Sequence, residues 1–143
     1  MSARLSSAPI QLAELVASVT APGYGGITTF LGVVRDHHAG REVRTLEYSA
    51  YDAMAGQELE RIVREAEERW PCRAAVVHRT GTLAVGDTAV AIAVAAGHRG
   101  EAFEACRYVI EELKRRVPIW KREVYADGSG AWVDPTAPGG VVA

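Results

Sequence analysis

The stretch Thr88-Ala89-Val90-Ala91-Ile92-Ala93-Val94-Ala95-Ala96-Gly97-His98-Arg99-Gly100 carries the architecture of this chain. From Ala89 to Ala96 every side chain is apolar, and most are small. A strand with no polar face has no side to offer to water, so it reads as the buried centre of a sheet. Gly97-His98-Arg99-Gly100 then turns the chain into a helix predicted over Glu101–Arg116. Its apolar stripe is Phe103, Cys106, Val109/Ile110 and Leu113, and Pro118 stops it.

Working outward, Gly86-Asp87 is a turn and Ala74–Arg79 a strand. The longest helical pattern runs from Ala53 to Trp70, where Pro71 ends it. Leu59, Ile62, Val63, Ala66 and Trp70 face inward, and Glu58, Arg61, Glu65 and Glu68 face out. Val43–Tyr51 alternates like a half-buried strand, and Tyr24–Val34 is rich in β-formers. With Arg35–Gly40 as a long charged loop, these two segments suggest a hairpin. A short helix fits Ile10–Val19, stopped by Pro22-Gly23. Downstream, Ile119–Tyr125 reads as a strand, followed by a glycine-rich turn and Trp132. The order predicts an α+β sandwich with helices packed on one side of a mostly antiparallel sheet. One domain is expected over 1–133, with a flexible tail over 134–143.

The chain has 143 residues, 48% of them apolar and 24% charged. This is the balance of a globular domain and not of a disordered chain, a collagen or a coiled coil. Sixteen Lys and Arg against eighteen Asp and Glu give a net charge of −2. No global positive field is available for nucleic acid or anionic lipid, so any anion site is local. Two cysteines without a CxxC fit neither a disulfide scaffold nor a zinc site and suit a reducing compartment. No apolar run reaches membrane-span length. The first ten residues hold no apolar core segment, which predicts no signal peptide and an unstructured start. The expectation is a soluble cytoplasmic protein.

His37, His38, His78 and His98 have no helical zinc spacing and no cysteine support, so no metal site is expected. There is no GxSxG, and Gly23, Gly25 and Gly26 precede a strand, not a helix. Cys106 falls on an apolar stripe and reads as a small core residue. At Gly97–Gly100 two readings stand side by side. Free N–H groups at a helix start, with His98 and Arg99 beside them, suit an anion. Equally, Glu101 and Glu104 complement the helix dipole and leave Arg99 solvated. Residues 114–122 hold five Lys or Arg and no acid. A helix C-terminus explains Arg115 and Arg116, but Lys121 and Arg122 lie beyond the Pro118 break. Alternation puts Ile119 and Lys121 on one strand face and Trp120 and Arg122 on the other. A lysine among cations loses its proton more readily and becomes usable as a base or nucleophile.

These motifs resemble the MoaE family, the large catalytic subunits of molybdopterin synthase. The likeness runs through Gly26-Ile27-Thr28-Thr29-Phe30-Leu31-Gly32-Val33-Val34-Arg35-Asp36-His37, Leu46-Glu47-Tyr48, Val77-His78-Arg79-Thr80-Gly81-Thr82-Leu83 and Gly86-Asp87. It continues through Gly97-His98-Arg99, Ala102-Phe103-Glu104-Ala105, Leu113-Lys114, Pro118-Ile119-Trp120-Lys121-Arg122-Glu123 and Trp132. The resemblance implies an α/β hammerhead with an added antiparallel sheet. It implies sulfur transfer to cyclic pyranopterin monophosphate from the thiocarboxylated Gly-Gly end of a small ubiquitin-like subunit, with no cofactor. It also implies a homodimer at the core of a heterotetramer. By the same likeness Lys114 and Lys121 match the active-site lysines, Arg35, His98 and Arg99 the basic pocket, and Phe30 an aromatic beside the tail channel; Arg122 adds a further substrate-binding cation. The chain departs from relatives at Gly100-Glu101, where hydroxyl residues are frequent, and after Trp132, where no basic residue follows. Gly139-Gly140 is followed by Val141-Val142-Ala143, so the chain reads as the acceptor enzyme and not the donor. The alternatives are a non-catalytic module that binds a ubiquitin-like tail, or a small anion- or nucleotide-binding regulator.

Overall fold

The computed structural model describes residues 2–133, and the tail expected over 134–143 lies outside them. The elements are β1 (Ala3–Ser6), α1 (Leu12–Val19), β2 (Gly26–Val33), β3 (His37–His38), β4 (Arg41–Ala50) and α2 (Asp52–Arg69). They continue with β5 (Cys72–Arg79), β6 (Gly81–Ala84), β7 (Thr88–Ala96), α3 (Arg99–Arg116), β8 (Ile119–Tyr125) and β9 (Gly130–Val133). The class is α+β, as expected.

The first sheet has the order β1-β5-β7-β2, and β7 is buried along almost its whole length. Its side chains alternate between two cores. Val90, Ile92, Val94 and Ala96 pack under α2 and α3 with Leu59, Ile62, Val63, Cys106 and Val109. Ala91, Ala93 and Ala95 pack against Leu15 and Val19 of α1. Helices therefore cover both faces of this sheet, not one. The alanines make room for the second layer, because a period of two sends each set to its own side.

Three further expectations change. Residues 3–6 are not an unstructured start: they pair in parallel with β5, and the Ala3 N–H donates to Glu60 Oε1 at 3.1 Å. The predicted β2–β4 hairpin does not form. β2 pairs with β7, and β4 turns into a second sheet, where it lies between β8 on one edge and β3 and β6 on the other. The reason is a separate apolar cluster, Val34, Val43, Leu46, Leu83, Ala89 and Tyr125, which draws β4 away from β2. Phe103 is 58% exposed. The buried stripe of α3 is instead Ala102, Ala105, Cys106, Val109 and Leu113. Small residues are needed there because the helix start closes on the sheet: a Cβ on Gly26 would lie 3.2 Å from the Arg99 nitrogen. β2 is left as an outer strand with Ile27, Phe30, Leu31 and Val33 substantially exposed.

Two local devices matter for the site. The β2–β7 register shifts between Gly32 and Val33, a bulge that re-aims the chain entering Arg35. The segment read as a loop contains β3, joined to β4 by a tight turn with Ala39 at φ 51° and Gly40 at φ 79°. Glycine accepts the left-handed value without cost. Elsewhere, Arg116 clasps α3 to α2. Its guanidinium donates to Glu65 at 2.6 and 3.0 Å, to Glu58 at 3.1 Å and to Glu112 at 3.1 Å.

Two expectations for stability follow. A Cβ at position 32 would meet Val90 Cγ1 at 2.6 Å in a buried layer. Gly32→Ala should therefore cost about 1–3 kcal/mol in urea unfolding, and less than that in a Val90→Ala background. Arg116→Met should cost about 2 kcal/mol at pH 7. Arg116, with Tyr108, holds the Glu65 carboxyl down at about 2 against an ordinary 4.5. Stabilisation by that pair is complete above pH 4.5 and fades as pH falls toward 2, so the gap between wild type and variant should narrow over that window. A constant gap would show that Glu65 is not the partner that matters.

Candidate active site

Strand alternation on β8 sends Ile119, Lys121, Glu123 and Tyr125 inward, and Trp120 and Arg122 to the other side. Ile119, Glu123 and Tyr125 are buried accordingly. Lys114 comes from the last turn of α3, and Arg35 follows the β2 bulge. These elements meet at a cavity of about 130 Å³ whose lining includes Arg35, Lys114, Lys121, Tyr48, His78 and Glu123. The two lysines, seven positions apart across Pro118, share one hollow.

The electrostatics are those of crowded cations. Burial holds the Lys114 amine below the ordinary lysine range, and Lys121 and then Arg35 push it further down. Burial also lowers Lys121; Glu123 opposes this and Arg35 adds to it. Among crowded cations of these two kinds, the lysines are the groups that give way. His78 is buried, with Nδ1 2.7 Å from the Arg79 carbonyl oxygen, so the ring donates there. Burial, aided by Lys114 and opposed by that hydrogen bond, brings it down to about 4, and the imidazole is neutral at pH 7. Its ring meets Tyr48 edge-on at 5.0 Å. Burial and the Glu123 charge push the Tyr48 hydroxyl up to about 12. Such a cavity can bind an anion beside amines that give up a proton more readily than an exposed lysine.

One chain brings together Arg35, Lys114 and Lys121, but not the remaining residues singled out from sequence. His98 caps α3 without a side-chain hydrogen bond, and with Arg99 it borders an open depression beside Gly25, Gly26 and Phe103. Phe30 is exposed on the outer strand β2. Arg122 lies on the outward face of β8, 3.8 Å from Glu47. The structure adds Tyr48, His78 and Glu123 to the cavity. Glu123 was readable in principle, since it stands two residues from Lys121 and so shares its strand face. Tyr48 and His78 reach the site only through pairing between distant segments.

A family model described as MoaE protein matches residues 5–116. The molybdopterin synthase catalytic subunit of Pyrococcus abyssi is 48% identical over 122 residues, covering 85% of this chain and 82% of that protein. Molybdopterin synthase catalytic subunit 1 of Mycobacterium tuberculosis is 47% identical, covering 91% and 88%. The crystal structure of molybdopterin synthase from Staphylococcus aureus superposes with a TM-score of 0.87 at 38% identity, covering 90% of this chain and 94% of that one. Fold, motif order and identity over most of the length agree, and the chain belongs to the MoaE family of molybdopterin synthase catalytic subunits.

Proposed function

We propose that this chain transfers sulfur from the thiocarboxylated C-terminal glycine of a small ubiquitin-like subunit to cyclic pyranopterin monophosphate, forming the dithiolene of molybdopterin. The observation that carries this reading is the meeting of Lys114, Lys121 and Arg35 in one cavity of a chain whose net charge is −2. Both proposed reactants are anions, a thiocarboxylate and a phosphate ester, and both need cations. The small cavity suits a Gly-Gly end, which has no side chains to clash with its walls. Sulfur arrives on the partner, so no protein thiol is required. Cys72 and Cys106 are buried, and burial pushes each thiol up to about 11, away from the reactive thiolate.

In this reading Lys114 stands beside the thiocarboxylate and assists addition and proton transfer. Lys121 and Arg35 hold the pterin phosphate and stabilise developing negative charge. His98 and Arg99, at the free N–H end of α3, are further anion contacts, with Arg122 and Phe30 as outer contacts for substrate and tail. A homodimer carrying one small subunit per chain is the proposed assembly.

Mixing the protein with a thiocarboxylated, Gly-Gly-terminated subunit and the cyclic pterin should yield dithiolene. Lys114→Ala and Lys121→Ala should each lower turnover about a hundredfold or more, with unchanged unfolding midpoints. Absence of product with wild-type protein overturns the reading, and full turnover in a lysine variant removes that lysine from the reaction.

The lowered lysines set the pH dependence. A neutral amine is lost as pH falls through its pKa, so turnover should decline on the acid side. Arg35→Gln removes a cation that depresses both lysines, which raises both values and should move that limb to higher pH. Competitive acetylation of Lys114 and Lys121, followed by mass spectrometry, reads the same shift without turnover.

A further inference from the structure

Glu123 is the one buried carboxylate among the described residues, and it lines a cavity that also holds Arg35, Lys114 and Lys121. Strand geometry puts it on the same face as Lys121 at a spacing of about 7 Å, within reach of a long side chain. An acid and an amine so placed, away from water, are drawn into an ion pair that keeps the proton on the amine. Yet among the described residues no ion pair joins Glu123 to Lys121. The carboxylate is engaged elsewhere: its Oε1 accepts a hydrogen bond from His38 Nδ1, 85 positions away in the chain.

His38 is itself held in place. It sits on β3, in register with Arg41 across the tight turn. The Arg41 guanidinium lies 3.7 Å over the Tyr125 ring and donates to Asp127 at 3.1 Å. The arm that carries His38 is therefore fastened to β8 and to the turn after it. A donor on a fixed arm can aim a carboxylate.

We propose that His38 is a positioning residue that holds the Glu123 carboxylate away from Lys121, leaving the Lys121 amine available to the anion in the cavity. The inference rests on the reading of Lys121 given under Proposed function. His38 touches no reacting atom and acts through Glu123. In its absence Glu123 swings to Lys121 and ties the proton to the amine.

The test uses the full chain and four variants. In His38→Ala, the rate of competitive acetylation of Lys121 near neutral pH should fall about tenfold, the effect of one unit on the amine. In His38→Asn the amide N–H stands where Nδ1–H stood, and most of the rate should return. In His38→Ala/Glu123→Gln the competing carboxylate is gone, and labelling should return to the wild-type rate or above. In turnover, His38→Ala should lower kcat more than it raises KM, and His38→Asn should recover it. His38→Leu, which fills the same space without a donor, substitutes for the alanine variant if that one does not fold. Unchanged Lys121 labelling in a folded His38→Ala or His38→Leu protein overturns the proposal, as does a loss that Glu123→Gln fails to relieve. Labelling needs no substrate, so it judges His38 even if wild-type protein forms no dithiolene.

Discussion

A strand walled in on both faces constrains everything around it. β7 must serve two layers at once, and it does so by giving valine and isoleucine to the α2–α3 side and alanine to the α1 side. Once it is central, α3 has to run back across the sheet at close range, which requires small residues along its contact stripe. That crossing ends at Pro118, which cannot continue a helix and sends the chain straight into β8. Lys114 on the last helical turn and Lys121 on the new strand thereby face one another across the break. The two amines are where they are because of how the core is layered.

Placing three cations around a small hollow is costly, and the cost is visible in the lowered lysines. Among the described residues the chain offsets it with a single buried acid, Glu123, in place of a balanced set of ion pairs. Fully paired lysines would be calmer and chemically idle. The α2–α3 clasp shows the contrast within the same molecule. Arg116 is surrounded by Glu58, Glu65 and Glu112, and its role is to hold two helices together.

Much of this was legible along the chain, and the rest was not, for definite reasons. The helices α2 and α3, the buried β7 and the facing of Lys121 and Arg122 on β8 all follow from local periodicity. Strand pairing does not. Nothing near Ala3–Ser6 says that it will lie beside β5, and Gly81–Ala84 buries only Leu83, too little pattern to mark a strand. The β2–β4 hairpin was the natural local choice, and a distant cluster around Leu83 and Tyr125 overrode it. Phe103 looked like core because it falls on one helical stripe with Cys106, Ile110 and Leu113, while the contact wanted alanine. Charge type pointed to the cations, but only the folded chain separates Arg35, Lys114 and Lys121 from His98, Arg99 and Arg122.

The outer strand β2 bears on how the isolated chain behaves in the tube. Its outer edge carries Ile27 and Leu31 on one face and Phe30 on the other, with no strand paired beside it among the described residues. Bare, apolar edges of this length template sheet extension between molecules. Shelf life is thus governed by concentration and by whatever shields that edge, and two preparations with the same melting temperature can differ in how fast they cloud.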